Sequence, residues 1–248
     1  MLAPSSWIWA IVVAPFIGSF LGVLITRASA PRTILWTRSV CDACGHTLGP
    51  VDLVPLASWA GAAGRCRYCR TRIGWFYPGI ELAAFAVAGW SALLASGWLV
   101  WASCGLGWAL LALAAIDWRE FRLPDFLTLP LIAAGVFVSG LADATSLLNS
   151  VVGAAAGYLF VVVVRWIYQR IRGREGMGLG DAKLLAAGGA WVSWIGLPSV
   201  VLIAAVAALA VTFIRTRGTK LRSDEHVPFG AYLSVGIWLV WLYGPLLV

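Results

Sequence analysis

Leu110-Leu-Ala-Leu-Ala-Ala-Ile116-Asp117 is the stretch on which the reading of the fold turns. Seven apolar residues run without a break into a carboxylate. Around them the chain stays apolar from about residue 98, long enough for a membrane helix, which needs roughly 20 residues. A carboxylate at the mouth of such a helix costs on the order of 2.5–3.5 kcal/mol on insertion scales, so it marks a functional candidate. A second one sits in Gly178-Leu-Gly180-Asp181, just before the apolar run that opens at Lys183-Leu-Leu-Ala-Ala. Two carboxylates that face each other can share one proton and drive hydrolysis.

Composition agrees with a membrane protein. Apolar residues make up 61% of the 248 and charged residues 12%, about half the charged share of a soluble domain. Eight helices are expected, at 7–26, 79–96, 98–116, 126–141, 148–168, 182–194, 196–214 and 229–247. The first is read as a retained span, because no basic n-region precedes it. The run 182–214 reads as one long helix or two short ones. The placement of the net +7 charge, rather than its size, decides between them: Lys and Arg cluster at 27–38, 65–72, 119–122, 165–174 and 215–222. With a turn at Ser193-Trp-Ile-Gly196-Leu-Pro198, every basic cluster falls on the cytoplasmic side and both termini face outward. Trp7, Trp9, Trp98, Trp101, Trp194 and Trp241 then lie near the outer interface as belt residues. Basic charge spread along the flanks of apolar spans argues against nucleic-acid binding. No internal repeat is apparent.

The organisation expected is therefore an all-α polytopic membrane protein of about eight spans. Residues 1–26 form the first span, 27–76 a small cytoplasmic metal-binding domain, and 77–248 a membrane domain carrying both aspartates.

Cys41-Asp-Ala-Cys44 and Cys66-Arg-Tyr-Cys69 are two C-x2-C knuckles 21 residues apart. Four thiolates at about 2.3 Å make a closed tetrahedral zinc site. Two disulfides are the competing reading, and a reducing cytoplasm disfavours them. His46 reads as a loop residue beside the first knuckle, and Cys104 as packing inside a helix.

Asp117 and Asp181 are expected on one side of the membrane at one depth. Asp181 at a helix start suits the helix dipole, whereas Asp117 at a helix end opposes it. Gly178 and Gly180 would let a peptide backbone approach. Asp125, after Pro124, reads as an N-cap. Lys183 would pair with a carboxylate or snorkel to the interface. Intramembrane carboxylates also suit an ion-coupled transporter. Against that, these acids lie at helix ends and no inverted repeat is evident.

Taken together these segments resemble the bacterial type IV prepilin peptidases, membrane aspartic proteases that process pilins and pseudopilins. The likeness is carried by Cys41-Asp-Ala-Cys44-Gly-His46, Asp52-Leu-Val-Pro55-Leu-Ala-Ser58-Trp59, Gly64-Arg65-Cys66-Arg-Tyr-Cys69 and Tyr77-Pro78-Gly-Ile-Glu81. It continues in Asp117-Trp-Arg-Glu-Phe-Arg-Leu123-Pro124-Asp125, Glu175-Gly-Met177-Gly178-Leu-Gly180-Asp181-Ala-Lys183-Leu184 and Pro228-Phe229-Gly230-Ala-Tyr-Leu233. Such a resemblance implies cleavage after a glycine in a short basic prepilin leader, at the cytoplasmic face of the inner membrane, with Asp117 and Asp181 catalytic. It also implies N-methylation of the new amino terminus from S-adenosylmethionine, in which the cytoplasmic domain takes part. Four features depart from the family pattern: Gly22 stands for a usual Asn, Arg27-Ala-Ser for Arg-Leu-Pro, the stretch between Arg27 and Cys41 is short, and Ala231 stands for a common Pro, the last given little weight.

Overall fold

The computed structural model describes residues 6–29, 38–173, 177–215 and 227–246. The expected basic segment 215–222 lies almost wholly outside them, as do Glu175 and Gly176 of the glycine-rich motif. Regular structure among the described residues is helical. Among the described residues five helices are long and apolar enough to cross a membrane. The chain divides into two compact units, Met1–Ala112 and Leu113–Val248.

In the first unit α1 (Ser6–Thr26) packs against the helix Phe76–Leu94. Between them lie a 3-10 turn, Pro50–Leu53, and the five-residue α2 (Ala57–Gly61). The helix Phe76–Leu94 is α3. Gly22 is where α1 meets α3: a Cβ there would stand 2.9 Å from the ring of Tyr77. An Asn at 22 would collide with that ring as it is placed, which gives this departure a packing reason. Glu81, buried in α3, accepts the N–H of Leu56 at 2.8 Å and so ties the loop domain to the helices. Leu56 carries a φ of 58°, a strained value for a leucine.

The helix α4 (Leu99–Glu120) runs through the division between the units. The second unit continues with α5 (Asp125–Gly140), α6 (Ala144–Arg172), α7 (Leu179–Arg215) and α8 (Phe229–Tyr243). At 29 residues α6 is about 43 Å long, more than a bilayer core of about 30 Å requires. Its last turns carry Arg165, Arg170 and Arg172, with Arg170 over the ring of Trp166 at 5.2 Å. Asp143 caps its start by accepting the N–H and hydroxyl of Ser146 at 2.8 and 2.9 Å.

The expected turn near Ser193 is a break in α7. Ser193 has φ 57° and ψ 177°, a region that glycine alone adopts easily. Its hydroxyl accepts the N–H of Ile195 at 3.3 Å and caps a new helix. Contacts with α8 show that the chain reverses there. Gly188 faces Ile237, Gly196 faces Val240, and Gly236 faces Val200. In a straight helix Gly188 and Val200 would lie about 18 Å apart, yet they touch neighbouring residues of α8. The segments 179–192 and 194–215 therefore run side by side. The break frees the carbonyl of Ala190, which takes the hydroxyls of Ser150 at 2.6 Å and Ser139 at 3.4 Å. The first segment also meets α6 backbone to backbone at Gly153 and Gly189, where a Cβ on either would fall on the other's carbonyl.

Candidate active site

Five chain segments converge at one end of the second unit: the end of α4, the starts of α5, α7 and α8, and the end of α6. The short helices α5 and α8, of 16 and 15 residues, begin at this site.

Asp117 lies one turn before the end of α4, which runs four residues further than expected. It is 5% exposed. Its Oδ2 accepts the N–H of Ala231 at 3.0 Å, and the N–H of Gly230 also points to the carboxylate. The opposing dipole of α4 is thus offset by the first turn of α8, whose free N–H groups favour an acid. Asp181 is the third residue of α7 and is half-buried. It takes the N–H of Gly178, and its charge interacts with that of Asp117. The structure brings the two aspartates together at one end of the unit.

The two glycines differ in what they are for. A Cβ at Gly180 would lie 3.0 Å from Cβ of Leu123, so this glycine makes room for Leu123 rather than for a peptide. A Cβ at Gly178 would meet nothing closer than 3.8 Å, and Gly178 is exposed. Leu123 also presses on Gly230, whose Cβ would stand 2.8 Å from the leucine's Cδ1. One side chain thereby holds the starts of α7 and α8 against the loop after α4.

Asp125 is not the N-cap. Pro124 holds that position, because its extended backbone (ψ 137°) leads into a helix whose first residue is Asp125. From there the carboxylate pairs with Lys183 at 2.6 Å. Arg165 of α6 donates to the carbonyl of Met177 at 3.3 Å, anchoring the loop that precedes Asp181.

In the first unit the four sulfurs of Cys41, Cys44, Cys66 and Cys69 lie within 4.8 Å of one another, and all four cysteines are free. Ligands at about 2.3 Å on a tetrahedral centre stand ~3.8 Å apart; Cys41 and Cys69 are separated by 3.8 Å. The donor set therefore fits a zinc ion and not two disulfides. The knuckles are copies at an offset of 25 residues, a repeat that sequence alone did not reveal. Val40 bridges Thr47 as Arg65 bridges Arg72. Cys41 accepts from Gly45 and donates to His46, as Cys66 does with Arg70 and Thr71. The hydroxyl and N–H of Thr71 hold the Cys69 thiol down to about 6. The N–H groups of Cys44 and Ala43 lower Cys41. At Cys44 the His46 N–H favours the thiolate, but burial and the neighbouring Cys69 and Cys41 push it up to about 11. Thiols crowded in this way suit a cation at their centre. His46 is outside the set and stacks on Tyr68 with ring centroids 3.6 Å apart. Cys104 is buried within α4.

Two family models match the chain. Residues 104–213 match the type IV leader peptidase family, and residues 12–95 match the bacterial peptidase A24 N-terminal domain. A Burkholderia pseudomallei protein named prepilin leader peptidase/N-methyltransferase is 42% identical, over 92% of this chain and 82% of its own length. Proteins of the same name are 39% identical in Aeromonas hydrophila (86% of this chain, 74% of theirs) and 35% in Pseudomonas aeruginosa (90% and 78%). The chain belongs to the type IV leader peptidase family. No solved structure matches it.

The leader peptidase match holds both Asp117 and Asp181, and the N-terminal match holds all four cysteines of the cluster. Nothing in the comparisons favours an ion-coupled transporter. Sequence reasoning missed Leu123 and Arg165 and undervalued Ala231. Leu123 had no signal beyond its place between the two aspartate segments. Ala231 had one: it stands where the prepilin peptidase pattern commonly has Pro, and a proline could not donate to Asp117.

Proposed function

We propose that this chain is an aspartic endopeptidase that removes the leader of type IV prepilins or pseudopilins and methylates the new amino terminus. The observation that carries the reading is the meeting of Asp117 and Asp181, from two different helices, at one end of the helical unit. The relatives' names, prepilin leader peptidase/N-methyltransferase, supply the substrate class and the second activity.

In this reading the pair holds one water. The ionised carboxylate takes a proton from it as the oxygen attacks the scissile carbonyl. The protonated carboxyl gives its proton to the carbonyl oxygen. Collapse of the tetrahedral intermediate breaks the C–N bond and returns a proton to the leaving amine. The titration belongs to the pair rather than to either residue. The exposed backbone at Gly178 is where a peptide would come close, and Leu123 and Arg165 hold the aspartate segments in place.

In this reading the protein lies in the inner membrane with residues 27–76 and the aspartate end cytoplasmic and both termini periplasmic. Segregation of Lys and Arg under a reversal at Ser193 supports this orientation. Cys41, Cys44, Cys66 and Cys69 would hold one structural zinc ion, which would tie the two knuckles of the loop domain together. S-adenosylmethionine is the methyl-donating substrate.

The test is incubation of detergent-purified protein with a purified type IV prepilin, with and without S-adenosylmethionine, read by intact mass. Asp117→Asn and Asp181→Asn should each abolish cleavage in folded protein. Cleaved product should gain one methyl group only when the donor is present. Substantial cleavage by Asp181→Asn protein would sink the aspartate assignment, and product never methylated would leave a peptidase alone.

A further inference from the structure

The first turn of α8 meets Asp117 through its main chain. Ala231 is the third residue of that helix, after Pro228 at the N-cap. An N–H in this turn has no partner four residues back, so it is free to serve another group. That of Ala231 is divided between Oδ2 of Asp117 at 3.0 Å and the carbonyl of Pro228 at 3.2 Å. Gly230 lends a second N–H to the same carboxylate. Gly230 has no room for a side chain, since a Cβ would stand 3.0 Å from Oδ2 of Asp117 and 2.8 Å from Leu123. Ala231 itself is buried, as is Asp117, so water does not compete for this bond.

We propose that the backbone N–H of Ala231 is a positioning group for peptide cleavage. It holds Oδ2 of Asp117 and leaves the other carboxylate oxygen to the reaction. The inference rests on the catalytic reading of Asp117 given above. Its consequence is specific to residue 231. A proline there keeps the helix, because the first turn tolerates a residue without an N–H, and deletes the N–H that Asp117 shares with the carbonyl of Pro228. The titratable group that faces Asp117 across the site is Asp181 of α7, while Lys183 and Asp125 are engaged with each other. Loss of a donor from one member of such a pair changes the proton affinity of the pair as a whole.

The experiment compares full-length Ala231→Pro, Ala231→Ser and wild-type protein in detergent on a purified type IV prepilin, measuring kcat and KM across pH. Ala231→Pro should keep KM within about twofold while its pH–rate profile moves by about half a unit or more. Ala231→Ser keeps the N–H and should follow wild type. A proline variant whose kcat, KM and pH profile superimpose on wild type overturns the proposal. So does one altered only in KM. Should the proline variant fail to fold, Gly230→Ala decides the matter. Its Cβ would push Asp117 off the turn, so kcat should fall at least tenfold at unchanged KM, and wild-type kcat would overturn the proposal. Asp117→Asn is run alongside. If it still cleaves, the catalytic reading has failed. If it is dead while Ala231→Pro behaves as wild type, only the positioning role has failed.

Discussion

Lys183 places its ammonium 2.6 Å from Oδ1 of Asp125, joining the first turns of α7 and α5 beside the aspartate pair. The side chains are 28% and 57% exposed. A pair this open is worth about 0.2–1 kcal/mol and is weakened by salt. Lys183→Met and Asp125→Asn should each slow prepilin cleavage only a few-fold, and the double variant should be no worse than either single one. A double-mutant cycle on cleavage rates checks this. Loss of all activity in Asp125→Asn would place that carboxylate in the chemistry instead.

Leu123 occupies the space that glycine leaves at 180 and 230, so Gly180→Ala should overpack the site. The new Cβ would stand 3.0 Å from Cβ of Leu123, and the backbone carrying Asp181 must shift. Overpacking of this kind costs about 1–3 kcal/mol. Thermal unfolding should move to lower temperature and cleavage should drop. Adding Leu123→Ala should return part of both, because it vacates the same space. A double variant that is strictly additive would show that the two residues do not press on each other.

The helical class, the two aspartates and the two knuckles were legible in the sequence because each is a local pattern: an apolar run, a carboxylate where the run ends, a C-x2-C pair. What was not legible is long-range. Nothing near Leu123 says that Gly180 and Gly230 will close on it, and nothing near Ala231 says that its N–H will find Asp117, 114 residues away in the chain. Asp125 was misread for a related reason. An Asp after a Pro has the composition of a cap, but Pro124 already supplies the extended backbone that a cap needs, and Lys183 offers the carboxylate a better partner. The knuckle repeat was hidden because Arg70 stands where its counterpart is Gly45; both have φ above 60°.

Ser193 carries the reversal of α7, and its backbone is one that glycine adopts without strain. Ser193→Gly should therefore be tolerated, with the lost cap offset by relief of strain. Ser193→Val should destabilise by about 1–3 kcal/mol, because a branched side chain resists that conformation and offers no cap. Thermal unfolding in detergent measures both. Cysteines introduced at Leu179 and Phe213 should label from the same side of the membrane, and one at Asp143 from the other. Opposite-side labelling of Leu179 and Phe213 would mean that α7 crosses once.

Metal content is the test of the knuckle pair. Four thiolates in a cluster of this size need a cation to offset their repulsion, and the domain around them is too small to keep them together by packing alone. Purified protein should hold about one zinc per chain. Cys41→Ser, Cys44→Ser, Cys66→Ser and Cys69→Ser should each lower that content, and Cys104→Ser should not. A strong chelator should raise proteolytic sensitivity within 38–75 while leaving the second unit's helices protected. Arg70→Gly should leave zinc content unchanged and raise the resistance of the loop domain, since a glycine at φ 61° removes a strain of about 1 kcal/mol. If the domain stays protease-resistant, fully reduced and free of metal, the cluster is held by its peptide hydrogen bonds and zinc is not its purpose.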